Sequence, residues 1–154
     1  MRVTTKGWGR ARLRRRYSPD MQRVVFYRGG PLFVANADGS GVRTAYDSAY
    51  GTLEWWPDGQ RVAVRAMVDE VLGIAILPLD GTVRLVTPRT ASGVGRNSVW
   101  WAPDGTRLVY DAFDEAGDGK LSLFVINTDG TGLRRLNRAG TFANIAAWYP
   151  PNAP

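Results

Sequence analysis

Asp58 and Asp104 occupy like positions in two turns, and a pair of carboxylates is the least equipment that general acid-base chemistry needs. A second acidic group, Asp111, Asp114, Glu115 and Asp118 ahead of Gly119, spaces carboxylates much as a calcium loop does, but it lacks the bidentate Glu that closes such a loop. Near the N-terminus Arg10, Arg12, Arg14, Arg15 and Arg16 could gather phosphate or an acidic partner, because clustered guanidinium groups raise local anion affinity. Trp56 and Trp100 offer flat rings for contact with a partner. Against these candidates stands a hard restriction: the 154 residues include no cysteine and no histidine. Disulfides, thiolate chemistry, Cys/His zinc centres and Ser-His or Cys-His dyads are thereby excluded. No Gly-x-Ser-x-Gly elbow, Gly-x-Gly-x-x-Gly turn or phosphate loop occurs either, and Gly93-Val94-Gly95 reads only as a loop.

The elements that must position these groups are set by a repeat. An aromatic, one residue and then proline recur as Tyr17-Ser18-Pro19, Trp55-Trp56-Pro57, Trp101-Ala102-Pro103 and Trp148-Tyr149-Pro150, at intervals of 38, 46 and 47 residues. Self-similarity at that period marks a solenoid or a propeller. Asp20, Asp58 and Asp104 follow the first three prolines, and Gly59 and Gly105 complete two of the turns. An arginine then opens an apolar run, as in Arg23-Val24-Val25-Phe26, Arg61-Val62-Ala63-Val64 and Arg107-Leu108-Val109-Tyr110. A second apolar run ends in Asp38-Gly39, Asp80-Gly81 or Asp129-Gly130, and Val42-Arg43, Val83-Arg84 and Leu133-Arg134 stand in matching places beyond.

Proline presets one backbone angle and glycine accepts positive φ, so Pro-Asp-Gly between apolar runs is a hairpin signal. Each unit reads as four short antiparallel strands. The runs are apolar on both faces, which suits a sheet packed between two neighbours. No segment has a helical period. Recurrence changes the reading of the candidate chemistry, since a residue copied into every unit serves the unit. Asp58 and Asp104 are expected to accept backbone N–H bonds inside their turns. Tyr17, Trp55, Trp101 and Trp148 are expected to pack between units, each buried ring contributing about 1.5–3 kcal/mol. Trp56 and Trp100 fall outside that phase and remain the better candidates for contact-making rings. The acidic group from Asp111 to Asp118 reads as a solvated hairpin loop.

Trp-x-Pro-Asp-Gly-x-Arg followed by an apolar strand, a second apolar strand and Asp-Gly resembles the repeat of TolB-type β-propellers, a WD-like family, over residues 17 to 150. Copies two and three carry the whole pattern; Met21 replaces the turn glycine in copy one, and Pro151-Asn152 replaces Asp-Gly in copy four. The resemblance implies an all-β fold of four-stranded blades, three blade-equivalents of a six-bladed ring. It also implies a protein-binding platform, since such rings mostly serve that role, while similar rings cover the active sites of some prolyl-peptidase-like serine hydrolases. Tyr17, Pro19, Trp55, Pro57, Asp58, Gly59, Trp101, Pro103, Asp104, Gly105 and Trp148 are the repeat positions.

Net charge is +6, but residues 1–16 hold seven of the 20 basic residues and no acid, leaving 13 basic against 14 acidic residues beyond them. The chain thus divides into a basic arm, 1–16, and a near-neutral body, 17–154. Only two lysines accompany 18 arginines, so the cluster reads first as a solvated, arginine-biased tail. Nothing pairs it with aromatics as in nucleic-acid binders, and protein is the expected partner class. No cofactor or metal is expected, and no enzymatic activity. The arm lacks an apolar h-region and no 18-residue apolar stretch occurs, so the chain as written is expected in the cytoplasm, or in the periplasm or outside the cell if its true N-terminus is missing.

Counting strands gives three in unit one, because Arg15 stands where Leu53 and Val99 open the other units, four in each of units two and three, and one more at residues 142–148. Three blades cannot close a ring and leave a strand edge and apolar faces uncovered. Two readings follow. Either two chains join head to tail as a six-bladed homodimer, each donating its last strand to the other's first blade, or the sequence is a fragment of a longer propeller protein such as a hydrolase lid. Pro150-Pro151-Asn152-Ala153-Pro154 cannot continue a hydrogen-bonded strand and favours a natural stop, whereas the weak first strand favours a fragment.

Overall fold

Every apolar run that follows a turn is paired on both of its edges. The computed structural model describes residues 15–80, 82–87, 94–113 and 120–138. Sheet 1 holds β1 (Arg15–Tyr17), β2 (Arg23–Tyr27), β3 (Leu32–Asn36) and β4 (Arg43–Tyr46). Sheet 2 holds β5 (Ala49–Trp55), β6 (Arg61–Val68), β7 (Val71–Pro78) and β8 (Arg84–Leu85), and sheet 3 holds β9 (Val94–Trp101), β10 (Arg107–Phe113), β11 (Leu121–Asn127) and β12 (Arg134–Arg135). All neighbours are antiparallel and sequential, so each sheet is a meander. No helix occurs among the described residues. The first strands converge: β1 lies against β5 and β5 against β9, while the short fourth strands form the outer edges.

Two features correct the sequence reading, one of them the strand count. Sheet 1 has four strands, because Arg15, Arg16 and Tyr17 pair with Phe26, Val25 and Val24. Backbone pairing is indifferent to side-chain charge where the charge can reach water or a counter-ion. Arg16 does both, with its side chain 55% exposed and its guanidinium 3.5 Å from Glu54. Val94 and Gly95, read as loop, begin β9. The expected last strand, 142–148, and the proline-rich end lie outside the described residues.

Apolar side chains fill both joints. Val25, Leu32 and Val34 of sheet 1 meet Leu53, Trp55, Val62, Val64 and Leu77 of sheet 2. Ala63, Ile74, Ile76 and Val86 of sheet 2 meet Val99, Trp101, Leu108, Tyr110 and Ile126 of sheet 3. Sheet 2 is apolar on both faces because alternate residues of β6 face opposite neighbours: Val62 and Val64 one way, Ala63 the other. The outward faces of sheets 1 and 3 are less bare than three isolated blades would leave them. Val24 and Phe26 are buried with Ala35 in a third cluster, and Val109 and Val125 are buried too. Among the described residues, sheet 3 leaves in solvent Leu133 and Leu136 at its fourth edge and Phe113 at the end of β10.

Candidate functional site

The first-to-second and third-to-fourth strand turns lie at one end of the sheets, as the pairing of Arg23 with Asn36 requires. Three of these turns repeat one bond set. The residue after the aromatic donates to the arginine that opens the next strand: Ser18, Trp56 and Ala102 N–H groups reach the Arg23, Arg61 and Arg107 carbonyls at 2.8–2.9 Å. Met21, Gly59 and Gly105 N–H groups then donate back to Ser18, Trp56 and Ala102. Returning from that turn to the paired strand takes a residue in the left-handed region, and φ is 59° at Met21, 69° at Gly59 and 70° at Gly105. Sheet 1 therefore keeps the turn without its glycine.

Among the described residues, five of the six repeated aspartates are consumed by these turns, Asp80 being the exception. Asp58 and Asp104 accept the N–H groups of Gln60 at 2.8 Å and Thr106 at 2.9 Å, as expected. Asp20 does the same for Gln22, and Asp38 and Asp129 for Ser40 and Thr131 in the third-to-fourth turns. Their carboxyls are held below the ordinary value by those donors: chiefly the Ser18 hydroxyl for Asp20, the Ser40 and Thr106 N–H groups for Asp38 and Asp104, and the Thr131 hydroxyl for Asp129. At Asp58 burial pulls upward, but the bond from Arg61 and the Gln60 N–H outweigh it. A carboxylate locked this way is a poor base. Among the described residues no three Asp or Glu side chains converge as a metal site, and Asp114, Glu115 and Asp118 lie outside them.

Trp56 is a joint residue. Its ring lies 4.1 Å from that of Trp101, and the Arg61 guanidinium stacks 3.6 Å above it while binding Asp58 at 2.5 Å. The ring also fills the space that a Cβ at Gly105 would need, which ties the turn of sheet 3 to sheet 2. Trp56 and Trp100 are both half-buried. Trp55 and Trp101 are buried, and their indole N–H groups donate across the joints to the Arg16 carbonyl at 2.9 Å and the Glu54 carbonyl at 3.2 Å. Tyr17 is half-buried beside the third apolar cluster. Pro19, Pro57 and Pro103 are exposed on the turns. Arg10, Arg12, Arg14 and Trp148 lie outside the described residues, Arg15 contributes backbone to β1, and Arg16 pairs with Glu54.

Sequence reading placed Arg43 and Arg84 in register but assigned them no role. Each reaches across a joint. Arg43 Nη2 donates to the Leu79 carbonyl and Arg84 Nη2 to the Thr128 carbonyl, both acceptors lying just before an Asp-Gly pair in the following sheet. A cleft of about 230 Å³ opens beside Arg43 and Arg23 at the first joint, with Asn36 and Asp80 on its wall. Arg23 is engaged there with Gln60 at 3.0 Å.

No protein-family model matches the chain, and no curated protein is significantly similar to it in sequence. Solved structures do match. TolB from Acinetobacter baumannii superposes with a TM-score of 0.65 at 15% identity, over 83% of this chain and 32% of its own. Oligogalacturonate lyase from Vibrio parahaemolyticus gives 0.57 at 23%, over 85% and 38%. The β-propeller domain of the Trilobed protease from Pyrococcus furiosus gives 0.53 at 16%, over 75% and 39%. The three sheets thus have the fold of β-propeller blades, and the chain spans between about a third and two fifths of the length of each of these structures.

Proposed function

We propose that the protein is a non-catalytic β-propeller module that binds other proteins, and that two copies join into a six-bladed ring. The observation that carries the first part is the engagement of five repeated aspartates, Asp20, Asp38, Asp58, Asp104 and Asp129, each in its own turn: these carboxylates are spent on holding loops in place. Loops fixed on a rigid scaffold are the usual place for recognition. The ring follows from three blades being half of six and from the preference for closed symmetry. Sheet 1's own β1 occupies the place beside β2, so an exchanged strand 142–148 would have to displace three residues of β1.

Size exclusion with light scattering tests the ring: twice 16.9 kDa is expected at micromolar concentration, and a folded species of 16.9 kDa would refute it. Removing residues 141–154 tests strand exchange, which predicts loss of the dimer. A second reading, the lid of a larger hydrolase, is favoured by the likeness to a protease's propeller domain. A monomeric mass would support it.

A further inference from the structure

We infer that Arg134 is the arginine that closes the ring, docking on the backbone carbonyl of Ala37 in a second copy. The inference rests on the ring reading above and names its contact. Arg43, Arg84 and Arg134 hold one register position, opposite Val34, Ile76 and Val125. The first two each cross to the next blade, onto Leu79 and Thr128. Arg134 is exposed, and among the described residues no acceptor meets it.

The matching acceptor lies at the other end of the chain. Leu79 and Thr128 are identified by their own N–H groups, which donate to the Gln60 and Thr106 carbonyls at 3.1 and 3.0 Å; Ala37 donates to Gln22 at 2.8 Å in the same way. Ala37 is therefore the third member of the set. Among the described residues its carbonyl receives no donor. One edge of the three-blade unit thus ends in a spare donor and the opposite edge in the acceptor of the same contact.

A second observation points to the same edge. Ala45 packs into the first joint and Val86 is 3% exposed in the second, whereas Leu136, their equivalent in sheet 3, is 46% exposed. Val86 and Leu136 make the same backbone bond, to the Ile74 and Leu123 carbonyls at 2.8 Å, so the difference is a following sheet, which sheet 3 lacks among the described residues. A second copy continues the interface already built twice within the chain, and head-to-tail union of two copies forms the contact twice.

Sedimentation equilibrium of wild type, Arg134→Gln and Arg84→Gln tests this. Losing one hydrogen bond from a charged donor weakens binding roughly 10-fold or more, and the ring holds two, so Arg134→Gln should raise the dimer dissociation constant by roughly 100-fold or more. Arg84→Gln, inside the chain, should lower the melting temperature of the monomeric form with a smaller effect on association. Because the chain has no cysteine, Arg134→Cys in one copy and Ala37→Cys in another can be joined by a short bismaleimide, with Arg84→Cys/Thr128→Cys as the intramolecular length control. A wild-type monomer overturns the ring and the contact together. A dimer with an unchanged dissociation constant and no cross-link in the mixed sample overturns the contact alone, and a filament dispersed by Arg134→Gln overturns two-copy closure.

Discussion

The indole Nε1 of Trp101 donates to the Glu54 carbonyl at 3.2 Å, so the ring that ends the first strand of sheet 3 is anchored on the first strand of sheet 2. Trp55 does the same to Arg16 one blade earlier. Truncating Trp101 removes this bond, the contact with Trp56 and a large buried ring. Trp101→Ala should cost about 3–5 kcal/mol, read as a shift of the urea midpoint. A loss under about 1 kcal/mol would mean that the joint does not depend on the indole.

Met21 adopts φ 59° where glycine would be unstrained. Its side chain is 60% exposed and packs little, so Met21→Gly should stabilise the protein by about 1 kcal/mol. Gly105→Ala is the inverse experiment. It combines positive φ with overlap on the Trp56 ring and should cost about 2–4 kcal/mol. Thermal melts of the two variants moving in the same direction would contradict the shared turn geometry.

Tyr27 buries a hydroxyl that has no hydrogen-bond partner among the described residues, and burial raises its pKa. Deleting an unsatisfied polar atom removes a desolvation penalty. Tyr27→Phe is expected to be neutral or to stabilise by about 1 kcal/mol in chemical denaturation. Clear destabilisation would reveal a partner for the hydroxyl.

Asp20, Asp38, Asp58, Asp104 and Asp129 are held below the ordinary 3.8 in the folded state. Such groups bind protons more weakly when folded, so their contribution is present above about pH 4 and is lost as the pH falls through the folded values. Glu54 acts oppositely: burial raises it against the partial pull of Arg16, and its contribution fades as the pH rises through its folded value. Five groups outweigh one, so stability should fall below about pH 4, and Asp104→Asn with Asp129→Asn should flatten that fall. Urea midpoints at pH 3 and pH 6 decide it, and an unchanged acid limb in the double variant would contradict the assignment.

Esterase, peptidase and glycosidase substrates should show no turnover, since the chain has no histidine or cysteine and the candidate pair Asp58 and Asp104 is bound in turns. Activity abolished by a single Ser or Asp substitution would overturn the non-catalytic reading.

The sheets were legible because turn residues recur: Pro57-Asp58-Gly59 and Pro103-Asp104-Gly105 announce hairpins through local conformational preference. β1 was missed because its arginines hide a strand whose pairing depends on backbone alone. Trp56, outside the repeat phase, proved to be stacked on Trp101 under Arg61: its own turn supplies the arginine, but only the joint brings Trp101 to it. Arg43 and Arg84 were visible as a pattern, but their acceptors lie 36 and 44 residues away and are carbonyls, which leave no mark in side-chain identity.

The carbonyls that accept from Trp55, Trp101, Arg43 and Arg84 belong to four unlike residues, Arg16, Glu54, Leu79 and Thr128, and each offers only what any residue offers. A blade that carries its own tryptophan and arginine can dock on its neighbour without matching substitutions in it. Duplication of one coding segment would therefore add a working blade in a single genetic event, and the length of such arrays can drift in descent by whole units while the surface loops diverge independently.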